Sequence, residues 1–103
     1  MDIAKEHIQQ ASEGLKALAH ETRLSIVCHL TAGELCVGEL IALTEASQSN
    51  LSQHLAKMKG LGVIGSEKRG QHVYYRLADS KWGDVVRALQ AMYCPKILSQ
   101  GED

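Results

Sequence analysis

The sequence predicts a mainly α-helical domain with a small β-hairpin, in the order ααααββα, and two neighbouring segments carry this prediction. Residues 47–59 place Leu51, Leu55 and Met58 on one side of a helix and leave a polar side without acidic residues opposite them. Residues 63–77 form two strand-like runs that turn at Arg69-Gly70-Gln71. A polar helix followed by a basic hairpin is the arrangement with which a winged helix-turn-helix docks on duplex DNA.

Apolar periodicity predicts two helices before this pair. The first, residues 3–19, alternates steps of four and three through Ala4, Ile8, Ala11, Leu15 and Leu18. The second, about residues 21–31, is apolar on several sides, so we expect it to form the buried centre of the domain, ending at Ala32-Gly33.

A short third helix, residues 37–43, precedes the polar helix, which we call the recognition helix. Residues 44–46 form the turn between them, and Ser47 occupies the N-cap position of the recognition helix. Gly60 and Gly62 end that helix before the hairpin, which we call the wing.

The wing and a last helix complete the predicted domain. The two strands cover residues 63–69 and 72–77, and the last helix, residues 80–93, ends before Pro95. Its apolar face carries Trp82, Val85, Val86, Leu89 and Met92. We expect residues 1–98 to form one domain and residues 99–103 a disordered tail.

The first and last helices each carry an apolar stripe. A core this small does not need the stripes of both helices. We therefore expect them to pair across a two-fold axis in a homodimer, which also compensates for the inefficient burial of a small domain. The two recognition helices would then lie about one DNA turn, roughly 34 Å, apart.

Composition and charge exclude several classes of protein. The chain has 103 residues, 45% of them hydrophobic, which favours one folded domain over a disordered chain. Its apolar runs are too short for a membrane span, and no secretory signal opens the sequence, so we expect a cytoplasmic protein. The formal net charge is only −1, but residues 47–76 hold five basic residues and one acidic residue. Positive charge concentrated on the recognition helix and wing suits contact with DNA phosphates.

Eight side chains are therefore expected to contact double-stranded operator DNA. Short polar and basic side chains can donate to phosphates and to base edges in the major groove. His54 lies on the flank of the recognition helix, where packing against the domain or holding a phosphate suits its position as well as reading a base. The expected set is Gln48, Ser49, Ser52, Gln53, His54 and Lys57 from the helix, with Arg69 and Gln71 from the wing.

From about residue 15 to residue 93 the chain resembles the ArsR/SmtB family of winged-helix repressors. The resemblance rests on LAHETRL (residues 18–24), SQS and SQHL (47–49 and 52–55), GLGVI (60–64) and GQHVYY (70–75). It implies a homodimer that binds an operator of imperfect two-fold symmetry. It also implies an inducer that weakens DNA binding.

The metal-sensing patterns of this family are incomplete in the chain. The segment ELCVGEL (34–40) has Gly38 where many metal sensors carry a second thiol. On the last helix, a zinc pattern that begins at Asp79 meets Lys81, Met92 and Pro95 at its other places. One thiolate or one carboxylate cannot complete a tetrahedral shell, so we expect neither a metal nor a cofactor.

The pair of thiols Cys36 and Cys94 resembles the pattern of the family branch that senses reactive sulfur species or oxidants. The ending Tyr93-Cys94-Pro95 carries this likeness together with Cys36 at the start of the third helix. Cys36 lies at the N-cap position with Glu39 as a capping-box partner, where the helix dipole favours a reactive sulfur. Glu34 and Glu39 oppose that effect, so we expect it to be modest.

In this interpretation, a bridge between Cys36 and Cys94 tethers the last helix to the third and lowers operator affinity. A direct disulfide requires Cα atoms about 4.4–6.8 Å apart, and a longer polysulfide bridge could span a wider gap. Cys28 lies within the apolar second helix, and we expect it to be an inert core residue.

Three alternatives remain open at this stage. The first is a repressor that responds to arsenite or another thiophilic metal through Cys36, Cys94 and perhaps Cys28. The second is a small thiol-redox enzyme, against which stand the lack of a Cys-x-x-Cys motif and of a βαβ pattern. The third is a ligand-independent DNA-binding anti-silencer. Cys94-Pro95 also resembles a short haem-regulatory motif, which is a weak signal alone.

Overall fold

A computed structural model describes residues 4–93 as five helices around a three-stranded antiparallel sheet. This architecture confirms the predicted mainly helical winged helix-turn-helix fold. The elements are α1 (Lys5–Leu18), α2 (Glu21–Leu30), β1 (Leu35–Cys36), α3 (Val37–Thr44), α4 (Gln48–Gly60), β2 (Ile64–Arg69), β3 (His72–Leu77) and α5 (Ser80–Tyr93).

The core forms around α2, which packs against α5, α3 and α4. Ile26 and Val27 are fully buried at its centre, as the many-sided apolar pattern of this helix predicts. Aliphatic side chains from the other elements complete the core: Ala17, Leu18, Leu30, Leu40, Leu51, Leu55, Met58, Val63, Ile64 and Val86.

The helix-turn-helix is made by α3 and α4, and α4 is the recognition helix. The Ser47 hydroxyl accepts a hydrogen bond from the Asn50 N–H at 3.1 Å and caps α4 as expected. Leu51, Leu55 and Met58 are buried, so the predicted apolar stripe faces the core. Glu45 in the preceding turn has φ 58° and ψ 19°, and its N–H donates to the Ile41 carbonyl oxygen at 3.1 Å.

The sheet has the order β1-β3-β2, and β1 is a strand that the sequence did not predict. Leu35 pairs with Tyr75 and Cys36 with Tyr74, so the residues just before α3 are joined to the wing. On the other side, Ile64 pairs with Leu77 and the ladder continues to the wing tip. Gly70 forms the turn with φ 63°, a conformation in which glycine avoids the Cβ clash of other residues.

The outer helices bury only part of their apolar stripes. In α1, Leu18 is buried but Ile8 and Leu15 are 54% and 62% exposed, and in α5 Met92 is 67% exposed. Gly14 of α1 approaches Trp82 of α5 closely, because a Cβ on this glycine would lie 2.9 Å from Cη2 of the indole. Among the described helices, none is long and apolar enough to cross a membrane.

Candidate nucleic-acid interface and the adjacent thiol

The outer side of α4 presents five of the six helix residues expected to contact DNA. Gln48, Ser49, Ser52, Gln53 and Lys57 are all exposed, while the opposite side of the same helix is buried. Lys57 and Lys59 lie in the last turn, where cations interact favourably with the helix dipole. This face can donate and accept hydrogen bonds in a major groove without bringing a carboxylate near phosphate.

His54, the sixth helix residue, is directed into the domain and is only 8% exposed. Its Nδ1 accepts a hydrogen bond from Nε of Arg23 at 3.1 Å, and its ring centroid lies 4.3 Å from that of His20. Burial lowers the pKa of His54, and the nearby His20 and Arg23 lower it further. The geometry therefore places His54 as a contact between α4 and the start of α2, instead of on the exposed face.

Arg69 and Gln71 lie exposed on either side of Gly70 at the wing tip. The Arg69 guanidinium is already engaged, because both of its terminal nitrogens donate to the Glu34 carboxylate and Nη2 also donates to Glu67 at 2.9 Å. The same group lies over the Tyr74 ring, 4.8 Å from its centroid. These hydrogen bonds lower the pKa of both Glu34 and Glu67 and raise the pKa of Arg69.

Cys36 is half-buried at the junction of β1 and α3, where it forms the N-cap of the helix. The Glu39 carboxylate accepts a hydrogen bond from the Cys36 N–H at 2.9 Å, which closes one half of a capping box. The pKa of Glu39 is lowered by this backbone hydrogen bond and, next, by a hydrogen bond from the Cys36 side chain. The Cys36 sulfur therefore lies between the Glu39 carboxylate and the N-terminus of α3.

The other predicted thiols differ in what the structure describes. Cys28 lies half-buried in α2 and packs against the core. Cys94 lies outside the described residues, so the distance between its sulfur and that of Cys36 stays a matter of prediction.

Within residues 4–93 no group of three or more His, Cys, Asp or Glu side chains is placed to hold a metal ion. Asp79 accepts a hydrogen bond from the Lys81 N–H at 2.9 Å at the start of α5.

Comparison with known proteins agrees with this geometry. The family described as "Bacterial regulatory protein, arsR family" matches residues 20–66. The transcriptional activator HlyU of Vibrio cholerae is 44% identical over 80 residues, which are 78% of this chain and 74% of HlyU. This chain belongs to the ArsR family.

Other comparisons support membership of the ArsR family and its fold. A biofilm growth-associated repressor of Agrobacterium fabrum is 39% identical over 78% of this chain and 68% of its own length. The structure of HlyU from V. cholerae superposes with a TM-score of 0.83 at 40% identity, covering 88% of this chain and 99% of HlyU. A homodimeric winged helix-turn-helix DNA-binding domain from Mycobacterium bovis gives a TM-score of 0.77 at 26% identity, covering 84% and 81%. The chain is therefore a DNA-binding transcriptional regulator of the ArsR family and not an enzyme.

Three features of this ArsR-family regulator were not predicted from its sequence: strand β1, the contact of Arg23 with His54, and the contact of Glu34 with Arg69. The partners in the last two are 31 and 35 residues apart in the chain. Nothing in the local sequence pointed to His54 as a hydrogen-bond acceptor for Arg23.

Proposed function

We propose that this ArsR-family regulator is a homodimeric repressor that binds an operator of imperfect two-fold symmetry through α4 and the wing. The observation that carries the proposal is the exposed side of α4, which is polar, lacks acidic residues and lies opposite the buried Leu51, Leu55 and Met58. A helix fixed to the core by one side and polar on the other suits insertion into a major groove.

The proposed roles follow the chemistry of each exposed side chain. Ser49 and Gln53 lie within the first turns of α4, where a recognition helix reaches base edges, and a Gln amide pairs bidentately with adenine. Lys57, at the end of the helix, suits a phosphate. The remaining contacts to the DNA backbone and bases come from Gln48, Ser52, Arg69 and Gln71. His54 contributes indirectly, by holding α4 against α2.

The proposed homodimer is formed by α1 and α5. Ile8, Leu15 and Met92 expose apolar side chains on these helices. A groove of about 710 Å³ lies between α1 and α5, and Leu15, Leu61 and Trp82 line it. Covering such surface with a second copy removes it from water, and a two-fold pair presents two recognition helices to two half-sites.

The proposed inducer is a reactive sulfur species or oxidant that bridges Cys36 and Cys94. With an organic persulfide, the Cys36 thiolate attacks the outer sulfur, the sulfur–sulfur bond breaks and the released thiolate takes up a proton. Cys94 then attacks the Cys36 sulfur and expels hydrosulfide, which leaves a disulfide. If both cysteines carry persulfides, their condensation releases hydrogen sulfide and leaves a trisulfide, which has a longer reach.

The position of Cys36 suggests how such a bridge acts on DNA binding. Cys36 caps α3, the first helix of the helix-turn-helix, and pairs with Tyr74 in the wing. A covalent pull on this residue therefore acts directly on the wing and, through α3, on the recognition helix α4. Releasing an operator tenfold requires the bridge to favour the unbound conformation by about 1.4 kcal/mol, within the usual 1–3 kcal/mol of allosteric coupling.

The test measures DNA binding by fluorescence anisotropy on a duplex that the reduced wild-type protein selects from a random-sequence pool. Wild type, Cys36→Ser, Cys94→Ser and the matched control Cys28→Ser are titrated before and after treatment with an organic persulfide. We expect affinity to fall at least about tenfold in wild type and Cys28→Ser and to stay unchanged in the other two variants.

Other outcomes point to different functions. Equal loss of binding in wild type and Cys36→Ser removes Cys36 from the mechanism. Release by arsenite, with no effect of persulfide, indicates a metal-responsive repressor. Binding that resists every oxidant and metal indicates a ligand-independent anti-silencer. Mass spectra of the cross-linked peptides count the sulfur atoms in the bridge and so distinguish a disulfide from a polysulfide.

A further inference from the structure

The wing arginine Arg69 is held by a residue that does not belong to the wing. Glu34 lies in the segment just before β1, 35 residues away in sequence, and both of its carboxylate oxygens accept hydrogen bonds from Arg69. Glu67, the second acceptor, lies on β2 of the wing itself. Arg69 therefore has one acidic partner within the wing and one outside it, in the segment before β1.

The geometry of this cluster matches the way an arginine binds phosphate. A guanidinium recognises carboxylates and phosphates through the same two parallel N–H donors, so one group excludes the other from that edge. In the cluster, Glu34 uses both terminal nitrogens, Glu67 shares Nη2, and the Tyr74 ring covers one face. A DNA phosphate can take the edge formed by Nη1 and Nη2 only if Glu34 leaves it.

We propose that Glu34 occupies the position on Arg69 that a DNA phosphate would take. Glu34 restrains this arginine until DNA displaces the carboxylate. Glu34 is in this view a positioning residue that acts through Arg69, and the inference rests on the proposed contact of the wing with DNA. The local charge agrees, because Glu34 and Glu67 offset the positive charge of Arg69 and of the nearby Arg76 at a wing that is proposed to contact a polyanion.

The expected size of the effect is modest because the ion pair is partly exposed. The side chains of Arg69 and Glu34 retain 44% and 35% of their accessible surface, and exposed pairs contribute little to binding or stability. Replacing Glu34 with Gln should therefore strengthen DNA binding by roughly two- to fivefold per subunit. The dependence of log K on log salt should also steepen, by up to about one per subunit, because free Arg69 exchanges counterions with phosphate.

The experiment compares five proteins: wild type, Glu34→Gln, Arg69→Gln, the double variant Glu34→Gln/Arg69→Gln and the control Glu67→Gln. Affinities are measured under reducing conditions by fluorescence anisotropy at several salt concentrations. The probes are the duplex selected from a random pool by the wild type and a scrambled duplex of equal length. Glu67→Gln is the matched control, because it removes the same charge from the same cluster but leaves Arg69 tied to Glu34.

We expect Glu34→Gln to bind more tightly than both wild type and Glu67→Gln, and to lose this gain when Arg69 is also Gln. An equal gain in the Arg69→Gln background, or the same gain in Glu67→Gln, overturns the inference in favour of a general charge effect. Weaker or unchanged binding by Glu34→Gln also overturns it, since Glu34 would then align Arg69 for DNA. If wild type shows no salt-sensitive binding to either duplex, the proposed DNA contact itself fails.

Discussion

The contact between the recognition helix and α2 should weaken on acidification because it requires a neutral His54. Nδ1 of His54 can accept the hydrogen bond from Arg23 only while it carries no proton. Burial, together with His20 and Arg23, lowers the pKa of His54 from its ordinary value near 6.5. The stability that this contact contributes is therefore fully present above about pH 6.5 and is lost as the pH falls through the lowered pKa of the folded protein.

The size of the loss follows from the hydrogen bond and its surroundings. A hydrogen bond to a charged donor contributes about 1.5–3 kcal/mol, and protonation removes the acceptor and adds a positive charge beside Arg23. Because the pair is only partly buried, we expect a loss at or below the lower end of this range, about 1–2 kcal/mol. In a domain of this size, that corresponds to a fall in melting temperature of roughly 5–15 °C.

The assay is urea unfolding of wild type and His54→Gln between about pH 7.5 and pH 5, at one fixed protein concentration. A Gln amide oxygen at position 54 can accept from Arg23 but does not titrate in this range. We expect the pH-dependent loss of stability to be smaller in His54→Gln by about 1–2 kcal/mol, since the other four histidines are common to both proteins. Parallel stability curves for the two proteins would show that His54 does not couple the helices in this way.

Three further predictions concern the DNA face, the dimer and the helix glycines. Lys57→Ala should reduce the slope of log K against log salt by about one per subunit, measured by anisotropy, and an unchanged slope would remove Lys57 from the phosphate contacts. Leu15→Glu should convert the proposed homodimer to monomer in sedimentation equilibrium, because it places a charge on the exposed apolar stripe of α1; an unchanged mass contradicts the proposed interface. Gly38→Ala should raise the free energy of unfolding by about 0.5–1 kcal/mol, since its added Cβ meets nothing within 4 Å. Gly14→Ala should lower it instead, because its Cβ would lie 2.9 Å from the Trp82 indole and overpacking costs about 1–3 kcal/mol; equal gains in urea midpoint for both would contradict that contact.

Helix periodicity and turn residues were sufficient to predict the parts of the fold that depend on local sequence. The stripe of Leu51, Leu55 and Met58 fixed which side of α4 is buried, and Ser47 marked where that helix begins. The hairpin followed from two alternating runs around Gly70, and β3 has the predicted bounds. Each of these signals lies within two turns of helix or one strand pair.

The remaining features depend on contacts between distant segments. Strand β1 has only two residues, so it shows no alternation, and it exists because β3 offers backbone partners at Tyr74 and Tyr75. His54 lies at the edge of the apolar stripe, where either exposure or burial is compatible with its spacing. In the structure His54 is buried, and Arg23 on α2 donates a hydrogen bond to it. For the same reason, the sequence did not reveal the ion pair between Arg69 and Glu34. A count of charged residues along the chain cannot show which side chains form ion pairs.

The turn between α3 and α4 depends on an unusual backbone geometry at Glu45, a residue with a Cβ held at φ 58°. Left-handed backbone costs a non-glycine L-residue roughly 1–2 kcal/mol, and a β-branched side chain tolerates it least. The direction in which the chain enters α4 therefore depends in part on this pair of torsions. A Val or Ile at position 45 should destabilise the turn that orients α4, although position 45 is not among the residues proposed to contact DNA.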